Sequence, residues 1–320
     1  MNRILVIRGG AIGDFVLTLP AIKLLRAAWP EAHLEILGYK HIIALAENRF
    51  YSHATRSIEY GPLASFFARE ADLPGELAAY FGSFDLIVSY LFDPDGIFEA
   101  NVRRCAQARI LVGPAKLRPH ALAAEQLASP MRSLGLGGEI AAAKLFPNGE
   151  DYAAAHQLLP ESSKRLIAVH PGSGSATKNW PAWNWSVLGE RLARGDPSIH
   201  LIVIGGEADA AVLDQLRGAW ANLATTYIVD QPLTVVAAVI ARCDVFIGHD
   251  SGISHIAAAV GARSVLLFGP TDPEVWAPRG SHVRVIRAAS GTMTELKMDD
   301  VIDAIRSRAT ATPATSHPEP

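Results

Sequence analysis

Short, nearly uninterrupted apolar runs alternate with segments of helical spacing along the whole chain. In the first half, the runs expected to be buried strands are residues 4–7, 34–37, 86–89 and 110–112. In the second half they are residues 166–169, 201–204, 227–229, 245–247 and 265–268. Segments with helical spacing lie between them, at residues 21–28, 119–134, 185–194 and 253–260. Strands that are apolar on both faces and separated by helices predict parallel sheets covered by helices on both sides.

The two halves of the chain begin alike. In residues 4–10 an apolar run of four is followed by Arg-Gly-Gly, and in residues 166–172 an apolar run of four is followed by His-Pro-Gly. Turn-prone residues lie between the halves, at 147–149 and 161–163. We therefore predict an α/β protein of two Rossmann-like, doubly wound lobes, residues 1–150 and 151–309, facing each other across a cleft. Residues 310–320 are rich in Thr, Ala, Ser and Pro, and we expect a disordered tail.

Composition narrows the class of protein. The 320 residues are 49% hydrophobic and 19% charged, as in a folded globular protein, and the net charge of −3 gives no general attraction to nucleic acid. Cys105 and Cys243 lie in apolar segments far apart, which predicts a reducing compartment without disulfides. Apolar runs fall well short of the ~18–20 residues that cross a bilayer, so we expect a cytoplasmic protein whose membrane contact would be peripheral.

The first motif runs from Arg8 to Asp14 and follows the first predicted strand. Its glycines permit a tight turn, and the helix after it presents free amides. A dinucleotide-binding fingerprint is disfavoured, because Arg8 replaces the first glycine and the second strand ends in Gly38-Tyr39-Lys40 rather than in a ribose-binding carboxylate. Asp14 has two interpretations, a helix cap and a general base for an attacking hydroxyl.

The second motif, residues 170–180, reads His-Pro-Gly-Ser-Gly-Ser-Ala-Thr-Lys-Asn-Trp. It differs from a Walker loop, because the glycine-to-lysine spacing is wrong and Asn179 stands where a magnesium-binding hydroxyl is needed. The segment still offers open amides, the cation of Lys178 and the hydroxyls of Ser173, Ser175 and Thr177. These groups suit a diphosphate, and the alternative is an ordinary surface turn.

The third motif, residues 249–255, reads His-Asp-Ser-Gly-Ile-Ser-His. Helix capping by Asp250 and Ser251 explains part of it, and the amides at the helix start would also hold phosphate oxygens. A zinc site of His249, Asp250 and His255 is disfavoured, because the two histidines do not share a helix face.

Two further loops follow predicted strands and complete the set of candidate sites. Ile-Gly-Gly-Glu at residues 204–207 allows close approach of a ligand, and Glu207 suits ribose hydroxyls. Phe-Gly-Pro-Thr at residues 268–271 is a similar loop that we expect near a nucleotide.

In this order and spacing the motifs resemble glycosyltransferase family 9, the ADP-heptose:lipopolysaccharide heptosyltransferases. The resemblance rests on Gly13-Asp14 followed by Pro20, on residues 170–172 and 178–181, and on residues 250–255 and 268–271. It implies the GT-B architecture, with a C-terminal helix at residues 295–308 that packs back on the first lobe. It also implies inverting transfer of a heptose-like sugar from ADP-heptose, or a related nucleotide sugar, to a lipid-linked saccharide such as the lipopolysaccharide inner core. Neither a metal nor another cofactor is expected.

The resemblance also implies roles for individual residues. Asp14 is the expected general base, and Lys178 neutralises the donor diphosphate. Glu207 is expected to contact the nucleoside and Asp250 the donor sugar or its junction with the phosphate. The remaining donor-binding residues are Ser173, Thr177, Ser251, Gly252 and His255.

An anionic acceptor calls for a basic first lobe. Residues 103–120 hold six basic residues with no acidic residue between them. The acceptor-binding candidates are Arg8, Gly13, Arg103, Arg104, Lys116, Arg118 and His120. For any single one of them, a solvated helix face is the alternative.

Three other functions stay open at this point. A sugar-nucleotide epimerase of the same architecture needs paired acid and base groups, whereas one carboxylate is evident near the expected diphosphate. A nicotinamide-dependent oxidoreductase is disfavoured by Arg8. A catalytically silent binding protein would keep nucleotide binding without turnover.

Overall fold

The computed structural model describes residues 1–114, 116–161 and 164–309, which form two compact units, Met1–Ala141 and a second that begins at Ala142. The division precedes the predicted boundary at residue 150, because the helix Gly149–Leu158 packs against Leu233–Ala241 of the second unit. The predicted tail, residues 310–320, lies outside the described residues.

The first unit is a five-stranded parallel sheet with helices, ordered β3-β2-β1-β4-β5. Its strands are β1 (Arg3–Arg8), β2 (His33–Gly38), β3 (Ala54–Ser57), β4 (Leu86–Ser89) and β5 (Arg109–Val112). Its helices are α1 (Ile12–Ala28), α2 (Lys40–Ile43), α3 (Gly75–Gly82), α4 (Ile97–Cys105) and α5 (Ala123–Leu127), with 3-10 segments at Gly61–Phe67 and Ser129–Leu134. The central strands β1 and β4 are buried because helices cover them, as their continuous apolar runs require.

The second unit is a six-stranded parallel sheet, ordered β11-β10-β9-β6-β7-β8. Its strands are β6 (Arg165–His170), β7 (Ile199–Gly205), β8 (Thr225–Val229), β9 (Val245–His249), β10 (Ser264–Phe268) and β11 (Val283–Arg287). Its helices are α6 (Gly149–Leu158), α7 (Ala182–Gly195), α8 (Ala210–Ala219), α9 (Leu233–Ala241), α10 (Gly252–Ala259), α11 (Pro273–Trp276) and α12 (Met298–Ala309). Short 3-10 segments lie at Ala176–Lys178, Glu207–Asp209 and Met293–Glu295. The predicted fold class, two parallel-sheet α/β units, is confirmed.

Each sheet reverses its strand order once, beside the first strand of its unit. In the first unit the reversal lies between β1 and β4, where Ile7 is level with Ser89. In the second it lies between β6 and β9, where His170 is level with Gly248. Chain segments leave the two strands toward opposite sides at such a point and open a crevice at the carboxyl ends. Strand order therefore places the loop after β6 next to the loop after β9.

Two predicted helices differ from the observed ones. The segment 119–134 divides into α5 and a 3-10 segment, because Pro130 cannot donate the hydrogen bond that a continuous helix needs. The C-terminal helix α12 begins at Met298, whereas the expected helix began at residue 295. Its side chains Val301, Ile302 and Ile305 pack into the core of the second unit, against β9, β10 and α7. Among the described residues, no helix combines the length and apolar composition that crossing a membrane requires.

Candidate functional site

An ion pair joins the loops after β6 and β9 at the switch point of the second unit. Lys178 ends the 3-10 segment Ala176–Lys178 and places its Nζ 2.9 Å from Asp250 Oδ2. Asp250 follows β9 directly and is only 8% exposed, whereas the Lys178 side chain is 29% exposed. The cation that balances the buried carboxylate is thus within reach of an anionic ligand.

The amino terminus of α10 lies directly after this pair. Ser251 is the N-cap residue, and its Oγ accepts a hydrogen bond from the Ser254 amide. Gly252 is the first helical residue, so its amide is among those left free at the positive end of the helix dipole. His255 is buried further along the same helix. A partly exposed cation next to free helix amides is suited to binding phosphate oxygens.

The loop between β6 and α7 is held together by its own polar groups. Ser173 Oγ donates to Asn179 Oδ1 at 2.6 Å, and Lys178 N donates to the Ser175 carbonyl at 3.0 Å. Thr177 Oγ1 lies 2.9 Å from Ser175 Oγ and is exposed. Ser173, predicted to contact the donor, therefore also shapes the loop that carries Lys178.

The two histidines at these strand ends are buried and bonded to backbone. His249 Nε2 accepts from the Trp180 amide at 2.8 Å, and Nδ1 lies 3.2 Å from the Gly172 carbonyl. His170 Nδ1 lies 3.0 Å from the Ile204 carbonyl. Burial lowers the pKa of His249 to about 3 and also lowers the pKa of His170. Both ring nitrogens of His249 are engaged, so it has none left for the zinc site considered above.

The loop after β7 packs tightly on the loop after β6. Asp209 Oδ2 accepts from the Gly206 amide at 3.0 Å, and a Cβ added to Gly172 would lie 1.6 Å from Asp209 Oδ1. Position 172 therefore accepts only glycine without a shift of its neighbours. Glu207, the predicted nucleoside contact, is exposed in this second loop. Sequence reasoning missed Asp209, although the Gly-Gly pair before it signals a close approach.

The first unit places Arg8 and Asp14 together at its own switch point. Arg8 Nη2 lies 3.2 Å from Asp14 Oδ1, and Arg8 Nη1 donates to the Tyr90 carbonyl after β4. Asp14 occupies the third position of α1, and its Oδ2 accepts from the Ala11 amide at 3.0 Å. Burial lowers the pKa of Arg8, which nonetheless stays protonated at neutral pH.

Both interpretations of Asp14 fit this geometry. Its carboxylate helps to cap α1, and 38% of the side chain remains exposed. Gly10 has φ +98° and contacts that carboxylate closely, since an added Cβ would lie 2.8 Å from Asp14 Oδ2. A carboxylate fixed by a guanidinium and an amide yet open to solvent can accept a proton from a bound hydroxyl.

The acceptor candidates occupy several elements of the first unit. Arg8 is engaged with Asp14 as described, and Gly13 lies in the first turn of α1. On α4, Arg103 pairs with Glu99 at 2.7 Å and Arg104 donates to the Ala71 carbonyl. The other three candidates, Lys116, Arg118 and His120, lie in the loop after β5. Their role toward an acceptor stays a prediction.

Comparison with known proteins places these features in a family. The sequence model of glycosyltransferase family 9 (heptosyltransferase) matches residues 115–305. Lipopolysaccharide heptosyltransferase 2 of Escherichia coli K12 is 30% identical over 152 residues, which are 45% of this chain and 42% of that protein. The chain thus spans less than half the length of this curated relative.

Two solved structures share the fold over nearly the whole chain. The glycosyltransferase family 9 protein of Veillonella parvula has a TM-score of 0.80 at 19% identity, covering 96% of this chain and 97% of that one. E. coli ADP-heptose lps heptosyltransferase II has a TM-score of 0.79 at 18% identity, covering 97% and 98%.

Proposed function

Because the chain belongs to glycosyltransferase family 9, we propose that it transfers a heptose-like sugar from ADP-heptose to a lipid-linked saccharide, with inversion at the anomeric carbon. The observation that carries the proposal is the Lys178–Asp250 pair beside the start of α10, at the switch point of the second sheet. The structural relative from E. coli is an ADP-heptose enzyme by name, and this supports ADP as the leaving group.

In this proposal the second unit binds the donor. The diphosphate lies between Lys178 Nζ and the free amides of α10, with Ser173, Thr177, Ser251, Gly252 and His255 around it. Asp250 contacts the sugar or its junction with the phosphate, and Glu207 contacts the nucleoside. When the bond from the anomeric carbon to the phosphate oxygen breaks, negative charge grows on ADP. A cation and oriented amides stabilise that charge, so the reaction needs no metal.

The first unit supplies the base. The acceptor hydroxyl loses its proton to Asp14 while its oxygen attacks the anomeric carbon from the side opposite ADP. Arg8 fixes the direction of the Asp14 carboxylate through their ion pair at 3.2 Å, while the exposed side of Asp14 leaves room for a hydroxyl. Arg8 therefore acts on Asp14 rather than on the acceptor alone.

The acceptor is proposed to be anionic, such as a lipopolysaccharide inner core, and to be met by Arg103, Arg104, Lys116, Arg118 and His120. Such an acceptor is embedded in a membrane, so we place the protein in the cytoplasm, in peripheral contact with the inner membrane. The identity of both substrates is part of the proposal.

A panel of nucleotides tests the donor assignment. We expect ADP to raise the melting temperature and UDP, GDP and NAD to do so less, because a ligand at ~100 times its dissociation constant adds ~2.7 kcal/mol to the free energy of unfolding. Incubation with ADP-heptose and a lipid-linked inner-core acceptor should then release ADP and add one heptose mass to the acceptor. Stabilisation by NAD alone, or by UDP with interconversion of a UDP-sugar, would contradict the proposal in favour of an oxidoreductase or an epimerase.

A further inference from the structure

We infer that His249 is a positioning residue that holds Lys178 in place for an anionic ligand, by binding both ends of the loop between Gly172 and Trp180. This rests on the proposed function only in taking that ligand to be the donor diphosphate. The ring of His249 contacts the backbone before and after the loop, at the Gly172 carbonyl and the Trp180 amide.

The bonding pattern fixes the tautomer of the ring. The Trp180 amide can only donate, so His249 Nε2 must carry a lone pair. The proton then sits on Nδ1, where it can be donated to the Gly172 carbonyl, an acceptor. A cationic ring would place two N–H donors opposite each other at Trp180. His249 is fully buried with its ring against Trp185, edge to face at 5.2 Å, and burial favours the neutral form.

Two sets of hydrogen bonds hold this loop, one within the loop and one between the loop and the sheet. Its interior is tied by Ser173 to Asn179 and by Lys178 to Ser175, so that the loop keeps its own shape. Those bonds do not fix the loop to the sheet. The ring of His249 does so from the end of β9, one residue before Asp250, the ion-pair partner of Lys178. One strand end thus sets both the position of the loop and the carboxylate that Lys178 faces.

Three substitutions separate the two bonds. His249→Leu removes both of them. His249→Asn keeps an amide near the position of Nδ1 and loses the acceptor for Trp180. His249→Gln places an oxygen near the position of Nε2 and restores that acceptor, and it should therefore recover most of the wild-type behaviour.

The readout is affinity for ADP compared with adenosine, measured by calorimetry. In the proposed site Lys178 contacts only the phosphates, which adenosine lacks. His249→Leu should therefore lower the affinity for ADP about tenfold or more, while the affinity for adenosine changes by less than about twofold. His200→Leu is the matched control. It removes a buried histidine that forms a hydrogen bond with Thr226 Oγ1 near the amino end of β7. This variant should lower the melting temperature without changing the ratio of the affinities for ADP and adenosine.

The wild-type protein gives a test that is independent of any ligand. In nitrogen NMR spectra with labelled histidine, His249 should show a protonated Nδ1, a bare Nε2 and a coupling through the hydrogen bond to the Trp180 amide. Absence of that coupling, or equal losses of ADP and adenosine affinity in His249→Leu, would overturn the inference. If wild type shows the coupling but binds no ADP, the proposed donor fails while the bond between ring and loop stands.

Discussion

Replacing Lys178 by methionine separates its structural role from its role toward the donor. In the described protein Lys178 is the ion-pair partner of Asp250, whose side chain is only 9% exposed. The substitution therefore removes the cation that balances a buried carboxylate. It also removes the cation that we propose binds the donor diphosphate. The double variant Lys178→Met/Asp250→Asn removes the cation and the carboxylate charge together, and provides the matched comparison.

The expected size of the effect follows from the geometry. At 2.9 Å and an effective dielectric constant of 20, the attraction between the charges is about 6 kcal/mol, but desolvation of both groups offsets most of it. We expect Lys178→Met to lower the free energy of unfolding by about 2 kcal/mol, because Asp250 is left without its cation. The double variant should recover most of this loss. ADP affinity should fall about tenfold to a hundredfold in both, since a hydrogen bond to a charged group contributes ~1.5–3 kcal/mol.

Urea unfolding and calorimetric titration with ADP provide the two measurements. Stability restored in the double variant with ADP affinity still low would match the proposed role of Lys178. If ADP affinity returned together with stability in the double variant, the role of Lys178 would be only to balance the charge of Asp250. An unchanged ADP affinity in Lys178→Met would refute the placement of the diphosphate.

Two further predictions concern the loops around this pair. His249 has a folded pKa of about 3, below its usual 6.5, so the unfolded chain binds more protons at pH 3–6.5 and stability is lost as the pH falls through that range. Between pH 7 and 5 the titration of His249 alone lowers the free energy of unfolding by about 2 kcal/mol. In urea unfolding, His249→Gln should therefore lose about 2 kcal/mol less than the wild type over this pH range. Gly172→Ala would displace Asp209 and break its hydrogen bond to the Gly206 amide. We expect it to lower the free energy of unfolding by about 2 kcal/mol and to weaken the binding of adenosine. Gly174→Ala is the control and should change neither quantity, because the space around Gly174 is open. Equal melting temperatures for the two alanine variants would contradict the close approach of the loops.

The central strands were predictable because burial on both faces leaves a continuous apolar run. All nine predicted runs are strands in the structure. The strands β3 and β11 were missed because arginines interrupt their apolar residues, at Arg56, Arg284 and Arg287. Both strands lie at sheet edges, as do β5 and β8, but β5 and β8 keep short uncharged runs that the pattern shows. The segment predicted from helical spacing, residues 21–28, covers only the second part of α1, which begins at Ile12 and contains Pro20. The helix continues through Pro20 because residues such as Leu19 and Ile22 are buried on either side of it.

The motifs of the site were visible in the sequence, but their pairing was not. Lys178 and Asp250 are 72 residues apart, and only the sheet order that makes β6 and β9 neighbours brings them together. Arg8 was grouped with acceptor-binding residues from its charge, whereas the fold gives it Asp14 as a partner. His249 lacked an explanation in the sequence, because its partners are backbone atoms of a different loop, which no residue pattern records.

The most direct test of the account is the turnover of Asp14→Asn with ADP-heptose and a lipid-linked inner-core acceptor, measured beside its ADP affinity. The amide keeps an oxygen for the Ala11 N–H but cannot take a proton from the acceptor hydroxyl. Turnover should fall about 10²-fold or more while the dissociation constant for ADP stays within about twofold. Turnover near the wild-type rate in this variant would contradict the assignment of Asp14 as the base.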